Sequence, residues 1–537
     1  MAGLKSYRPD WLARMLAVIM EGPIPLLLML TALIGGILAL MITPREEEPQ
    51  IIVPMADVLV WAPGLSAEQI ERQIATPLEK LLYQIDGVEY VYSLSRPERC
   101  VVTIRFFVGE DRVASLVKIY NKLYSETDRI PAAVEAWVVK PVEIDDVPIV
   151  VAVLWSHNPE LTGDHELRRL AEEIEHDLQS IKDTNKLNLT GGRPRQIRVE
   201  LMPSALAARR TAPLEVAWAI DISNKLVPAG DVQVLDQEIV LDAGEFIQSA
   251  DELRKLVINV VDGIPVYLGD VARVIDGPAE PVSYTWIGFG PASDLQQQYP
   301  DAYPAVAIAV AKKKGANAVW VAEEVDDYFA KLKRDIFPPE VNYRIIRNHG
   351  KTADDKINNL VSSLLVAVLT VTIFIGIFLG WRAAVVVGLT VPICYGVTLL
   401  LDFFAGYTIN RVTLFALILA LGLLVDDPIT GVDNIERYLR MGSHPRRRSV
   451  ILAIKEIRGA LIMSTFAIIL AFAPLRFITG MMGPYMAPMA FNVPVSVTLS
   501  TIVAFLVTPW LAYKLIKPSV ENAEYDVTKT GLFHFYG

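Results

Sequence analysis

The sequence predicts a polytopic α-helical membrane protein with six transmembrane helices. A large α+β region, of split βαβ (ferredoxin-like) pattern and outside the membrane, lies between spans 1 and 2. Three observations carry this. Six stretches are apolar over about the 20 residues that a bilayer crossing takes, in a 537-residue chain that is 52% hydrophobic. Residues 44–355 have an ordinary soluble composition, with alternating strand and helix patterns. Basic residues crowd one side of the loops.

The apolar stretches run over about residues 24–43, 360–380, 383–401, 412–434, 459–475 and 493–513. The first is too long in its core for a signal peptide, and no small-residue cleavage site precedes PREEEPQ, so it reads as a retained span. Lys5, Arg8 and Arg14 precede span 1, and Arg382 sits in the link between spans 2 and 3. Arg437, Arg440, Arg446, Arg447 and Arg448 crowd the link between spans 4 and 5, and Lys514 and Lys517 follow span 6. The opposite side has only Arg411 and Arg476 in its short loops. The positive-inside rule then puts both termini in the cytoplasm and residues 44–355 outside. Four regions follow: 1–43 (N-terminal helix and span 1), 44–355, 356–515 (spans 2–6) and a cytoplasmic tail, 516–537.

Within 44–355, MADVLVWA (55–62) reads as a strand. Ser66 is a plausible N-cap for EQIERQIATPLEKLLYQI, which is apolar at helical spacing. VEYVYSLS and CVVTIRFFV follow as strands and VASLVKIYNKLYSE as a helix, most of a split βαβ unit. The pattern recurs with strand IVVAVLWS, helix LRRLAEEIEHDLQSI, strands KLNLTG and RQIRVEL and helix LEVAWAIDISN. A further pair, strand AVAIAVAK and helix AVWVAEEVDDYFAKL, turns at Gly315. Two or more α+β subdomains, interleaved or consecutive, account for this.

The composition excludes several function classes. A net charge of −11 leaves no nucleic-acid footprint. Cys100 in a soluble strand and Cys394 in a span make no disulfide framework or thiol metal site. The histidines are His157, His165, His176, His349, His444 and His534, and no HExxH, GxSxG or phosphate loop is present. Neither enzyme activity nor a metal or other cofactor is expected. Trp61, Trp137, Trp155, Phe106 and Phe107 either fill a core or line a pocket for greasy ligands.

The sharpest signal is in span 4, where Asp426 and Asp427 follow the run TLFALILALGLLV. A charge at membrane depth costs about 2.5–3.5 kcal/mol even on the lenient scale. At about 1.5 Å per residue, Asp426 lies roughly 22 Å from Arg411 and roughly 16 Å from Arg437. Both carboxyls are therefore near mid-bilayer, splayed by about 100° on a face that needs protein or water against it. Two carboxyls this close do not both ionise readily, which suits them to proton uptake and release. Pro428 removes a backbone N–H and frees the Leu424 carbonyl to bend the helix or offer a polar ligand. Thr430 is close enough to hydrogen-bond, and Asp433 is expected at the interface beside a base such as Arg437. A purely structural pair holding helices together is the alternative. The apolar middles of all six spans contain no Lys, Arg or His to balance the pair.

At these residues the chain resembles the resistance-nodulation-division (RND) superfamily, most closely its hydrophobe/amphiphile multidrug efflux branch. GLLVDDPITGVDNIER resembles the GLLVDDAIVVVENVER-type motif of that branch. INRVTLFALILALG, FLGWRAAVVVGLTVPICYG and LVTPWLAYKLIKP match in style, as do VYLGDVARV and KKKGANAVWVAEEV in the soluble region. The heavy-metal branch has a different acidic pattern in this span. The resemblance implies an inner-membrane transporter with a periplasmic porter region that captures amphiphilic small molecules, and a docking region near 225–260. It also implies proton relay through Asp426 and Asp427, trimeric assembly, a periplasmic adaptor protein and an outer-membrane channel.

Three departures stand out. Exporters of that branch are about twice as long, with twelve spans, so this chain looks like the N-terminal half. Their relay lysine lies in the C-terminal half, so a partner chain carrying a mid-membrane Lys is expected. Pro428, Thr430 and Gly431 replace small and β-branched apolar residues, and Asp433 replaces Glu. A half-size protein-export or homo-oligomeric subunit and a non-transporting regulatory remnant are the alternatives.

Overall fold

The computed structural model describes residues 15–516, apart from 17, 144–145 and 235–236. Lys5, Arg8, Arg14, Lys517, His534 and the tail 517–537 lie outside the described residues. Six helices have the length and hydropathy to cross a membrane: Ile24–Ile42 (span 1), His349–Phe378 (span 2), Trp381–Phe404 (span 3), Arg411–Met441 (span 4), Arg446–Phe472 (span 5) and Met482–Leu515 (span 6). Spans 3, 4 and 6 form the packed centre, while spans 2 and 5 leave most of their apolar surface uncovered. Spans 1 and 3 touch backbone to backbone. A Cβ built on Gly36 would lie 2.3 Å from the Gly396 Cα, and one on Gly396 would lie 2.3 Å from the Ala32 carbonyl oxygen.

Several spans outrun their apolar stretches. Span 2 begins at His349, where the Asn348 side chain accepts from the Lys351 N–H, so it runs unbroken across residue 355. Span 5 begins at Arg446, well before residue 459. A polar first turn is no obstacle to a helix that protrudes from the apolar layer.

The soluble region contains two sheets with one connectivity. In the first, β1 (Met55–Trp61) is followed by helix Ala67–Ile70, a π turn over Glu71–Ala75 and helix Thr76–Leu82. Ser66 caps it as expected, exchanging two hydrogen bonds with Gln69. The π turn precedes Pro77, which cannot donate to the Gln73 carbonyl. Strands β2 (Val88–Arg96) and β3 (Arg99–Phe106), helix Arg112–Ser125 and β4 (Ala136–Val142) complete the unit. The sheet is antiparallel in the order β2-β3-β1-β4. Its buried face, with Val58, Ile104 and Phe106, packs on Ile70, Leu82 and Ile119 of the helices.

The second sheet starts with β5 (Pro148–Ser156), helix Asp164–Ser180 and β6 (Thr184–Thr190). The chain then leaves. Gly191 and Gly192 turn it at positive φ, and a Cβ on Gly192 would meet Arg168 at 2.6 Å. It returns through the short β13 (Trp286–Ile287) as β14 (Tyr303–Lys312), helix Ala318–Asp335 and β15 (Val341–Asn348). β14 pairs with β6 and β5, and β5 with β15, so both sheets run second–third–first–fourth. The excursion carries β7 (Arg195–Leu201) paired with β12 (Ala272–Pro278), the hairpin of β8 (Val227–Val234) and β9 (Gln237–Ala243), and that of β10 (Val257–Val261) and β11 (Ile264–Tyr267). The strands read at 186–191 and 195–201 are therefore not neighbours.

The soluble region joins the bundle through Arg45–Glu48, just past span 1. Arg45 pairs with Asp354 at 3.0 Å, and Glu48 with Arg411. Glu46, only 4% exposed, meets Lys312 of β14 at 2.6 Å and accepts from Thr408 at 3.2 Å. Glu47 is held by Lys356 and His349, both at 2.5 Å.

Two outcomes follow. Lys312→Met strands a buried carboxylate and should cost about 3–5 kcal/mol, and adding Glu46→Gln should recover most of it, read by thermal unfolding in detergent. Burial opposes the Glu47 charge, but the bonds from Lys356 and His349 outweigh it and hold this carboxyl below its ordinary 4.5. Its contribution is therefore full above pH 4.5 and is lost as pH falls through the depressed value. The acid-side drop in melting temperature should flatten in Glu47→Gln.

Candidate functional site

Span 4 carries Asp426 and Asp427 in opposite settings. Asp427 points into the bundle and is 6% exposed. Its Oδ2 accepts from the Thr501 hydroxyl of span 6 at 2.5 Å. Thr501 also shares a 2.5 Å hydrogen bond with Thr465 of span 5, so three spans meet at this carboxyl. Asp426, about 100° around the helix, faces away from the rest of the chain and is exposed. The broad single face anticipated for the pair is thus divided between an interior wall and an outer surface.

Pro428 is buried, and its missing N–H has a visible effect. The Leu424 carbonyl, one turn earlier, accepts from the Ser500 hydroxyl of span 6 at 2.5 Å. Span 4 stays helical from Arg411 to Met441, with Ser500 supplying the donor that residue 428 lacks.

Thr430 and Asp433 lie on the outward face with Asp426. Gly422, Asp426, Thr430, Asp433 and Arg437 are all exposed at spacings of four, four, three and four, one stripe of a helix. The anticipated Asp433–Arg437 pair is not what forms. Arg437 meets Glu456 of span 5 at 2.6 Å, and Asn434 donates to that same carboxylate at 3.1 Å. Glu456 is fixed from two sides, which makes it the better anchor than a neighbour on the same helix. Among the described residues no cationic side chain pairs with Asp426 or Asp427.

Ser500, Thr501 and Thr465 escaped the sequence reading. Their signal was weak: small hydroxyls at helical spacing inside apolar runs, each able to bond its own helix backbone.

The aromatic candidates divide. Phe106 is fully buried in the first sheet, and Trp155 is buried against Phe289, Tyr299 and Tyr303. Trp61 and Phe107 are exposed. Trp137 borders a cavity of about 300 Å³ in the first unit, lined by Val58, Ile74, Leu81 and Ile130, with Lys80 and Arg129 among its walls.

A model of the AcrB/AcrD/AcrF family matches residues 16–536, nearly the whole chain.

Ser500→Ala should cost about 1–3 kcal/mol by leaving a buried carbonyl unpaired. The cost should shrink in a Pro428→Ala background, where span 4 regains its own donor. Thermal unfolding of the two single variants and the double in detergent measures the coupling, and simple additivity would mean that the two sites do not share the carbonyl.

Proposed function

The chain belongs to the AcrB/AcrD/AcrF family, and from that premise we propose a proton-coupled efflux subunit that exports hydrophobic or amphiphilic compounds as the N-terminal half of a pump. Membership makes it a multi-pass membrane transporter of the RND efflux type. Proteins of the family generally act as trimers with an adaptor and an outer-membrane channel. We extend that assembly to this chain, with the termini cytoplasmic, residues 44–355 in the periplasm and 516–537 as the start of a linker between halves. The two units of common strand order are read as split βαβ porter subdomains, and the excursion between β6 and β14 as the docking region.

The outward stripe of span 4 carries the half-pump reading. It sets Asp426, Thr430 and Asp433 on one exposed helical face, with Asp426 near mid-bilayer by its spacing of about 1.5 Å per residue from Arg411 and Arg437. Lipid there would cost about 2.5–3.5 kcal/mol per charge, so the stripe calls for a polar protein surface. A second chain with a mid-membrane Lys supplies one. Asp427, bonded to Thr501, is then the inner proton carrier, and Asp426 the member that faces the partner's cation. Protonation of the pair would release that cation and let the two halves shift, which is how a relay of this kind drives transport. The apolar cavity beside Trp137, with charged side chains among its walls, suits a molecule with a greasy body and a polar end.

The test is to tag the chain in its host, extract it in mild detergent and identify what co-purifies. A second six-span chain at equal abundance, with a Lys at mid-membrane depth, is the expected result. A stable assembly of this chain alone would overturn the half-pump reading in favour of a homo-oligomer. Asp426→Asn should abolish resistance to exported compounds while the protein still reaches the membrane, and unchanged resistance would point to a non-transporting remnant.

A further inference from the structure

The bundle contains a third buried acid. Asp402 lies in the last turn of span 3, at the end that carries the soluble region, and is 3% exposed. Opposite it on span 6 is Asn492, fully buried. The Asn492 amide is close enough to act on the Asp402 carboxyl, yet neither side chain reaches a hydrogen bond of ordinary geometry among the described residues. Tyr407, on the loop after span 3, donates its N–H to the Asp402 backbone carbonyl at 3.0 Å and lies within electrostatic reach of Asp402 and of Arg476, which follows span 5. Arg411, at the start of span 4, is engaged by Glu48 and by the Tyr485 hydroxyl. No cation among the described residues is paired with Asp402.

The chemistry of the pair is selective. A neutral carboxylic acid and a primary amide are complementary: the acid O–H donates to the amide oxygen, and an amide N–H donates to the acid carbonyl. The ionised acid can use only the second of these bonds. Buried polar groups are expected to be satisfied, and taking up a proton is what satisfies both side chains at once.

Asp402 is also linked to the aspartate pair of span 4. One turn inward, Thr398 of span 3 and Ser496 of span 6 are fully buried with their hydroxyls 3.3 Å apart. Thr398 donates to the Cys394 carbonyl at 2.9 Å, so the proton between the two hydroxyls is that of Ser496. One turn further along span 6 come Ser500, on the Leu424 carbonyl, and Thr501, on Asp427. Asn492 and Thr501 are about 14 Å apart along the helix axis at 1.5 Å per residue. A strip of buried polar side chains therefore runs from Asp402 to Asp427 between apolar walls.

We propose that Asp402, with Asn492, is a second protonation site of the relay, loaded at the end of the bundle that carries the soluble region and feeding Asp427 along the hydroxyl strip. This rests on the relay reading above. Asp402 takes a proton from its own end of the bundle and releases it inward. Thr398 and Ser500 stay on the Cys394 and Leu424 carbonyls, while Ser496 and Thr501 each accept one proton as they give one up; Asp427 receives the last, and Asp402 is left ionised for the next.

Infrared difference spectroscopy on the full-length chain in lipid vesicles tests the site without requiring transport. An acid C=O band that titrates, moves in D2O and persists in Asp427→Asn should vanish in Asp402→Asn and shift in Asn492→Leu. Spectra of Asp402→Asn identical to the wild type overturn the proposal. So does a band lost on adding sodium at constant pH, since a carboxylate, an amide oxygen and two hydroxyls could instead hold that cation. In the complex isolated from its host, Asp402→Asn should slow proton-driven efflux on the order of a hundredfold, with Asp402→Glu restoring most of it. If Asp427→Asn abolishes efflux and Asp402→Asn does not, this inference alone fails. If Asp427→Asn has no effect, the relay reading fails first. Should Asp402→Asn not insert, Ser496→Ala serves: it should keep the band and slow proton uptake, and unchanged uptake counts against the strip.

Discussion

The ion pair between Glu46 and Lys312 ties the membrane bundle to the soluble region. Both charges are nearly out of contact with solvent, so neither tolerates loss of the other. Around the pair, Arg45, Glu47 and Glu48 each hold a different partner, on span 2 or at the head of span 4. β14, an interior strand of the second sheet, is thereby fixed through Glu46 to Thr408, just before the start of span 4. The Asn410 cap, which accepts from the N–H groups of Val412 and Thr413, lies beside the same junction. The helix with the two aspartates is consequently anchored to the soluble region at its own N-terminus.

Much of this was legible in the sequence, for identifiable reasons. Apolar length located all six spans, because a bilayer crossing tolerates few exceptions. Ser66 announced an N-cap by its place just before the helical spacing, while its exchange with Gln69 appears only in the structure. Pro428 announced a free Leu424 carbonyl, since a missing N–H is a local fact, but not the identity of Ser500, which is a tertiary one. β4 and β15 were missed, and both are edge strands. Pro141 interrupts one and charged side chains such as Arg344 and Arg347 the other, so neither shows the alternation of a half-buried strand. Span ends were missed wherever a helix continues into the polar layer, as at His349 and Arg446. Asp402 and Asn492 fell just outside the apolar stretches and were invisible as a pair, because only packing brings spans 3 and 6 together.

The two neighbouring aspartates show how one helix can serve two surfaces. A step of one residue turns Asp427 into a wall of hydroxyls and Asp426 towards whatever lies beside the chain. A carboxyl bonded to Thr501 has a fixed setting supplied by its own protein. A carboxyl on the outer stripe has a setting that depends on its neighbour. In the proposed relay, the pair would link an event on one side to the other without any large change in span 4.

The contact between Gly36 and Gly396 has a mechanical meaning. No side chain separates the backbones of spans 1 and 3 there, so there is nothing to repack and little room to slide. The two helices should move as a single strut. Span 1 ends immediately before Glu46, and span 3 ends at Phe404, close to Thr408, which also bonds Glu46. A tilt of this strut is therefore delivered at both of its outer ends to one carboxylate, and from there to β14. In the proposed transport cycle the weld would act as a lever, with Glu46 the point at which its stroke reaches the soluble region.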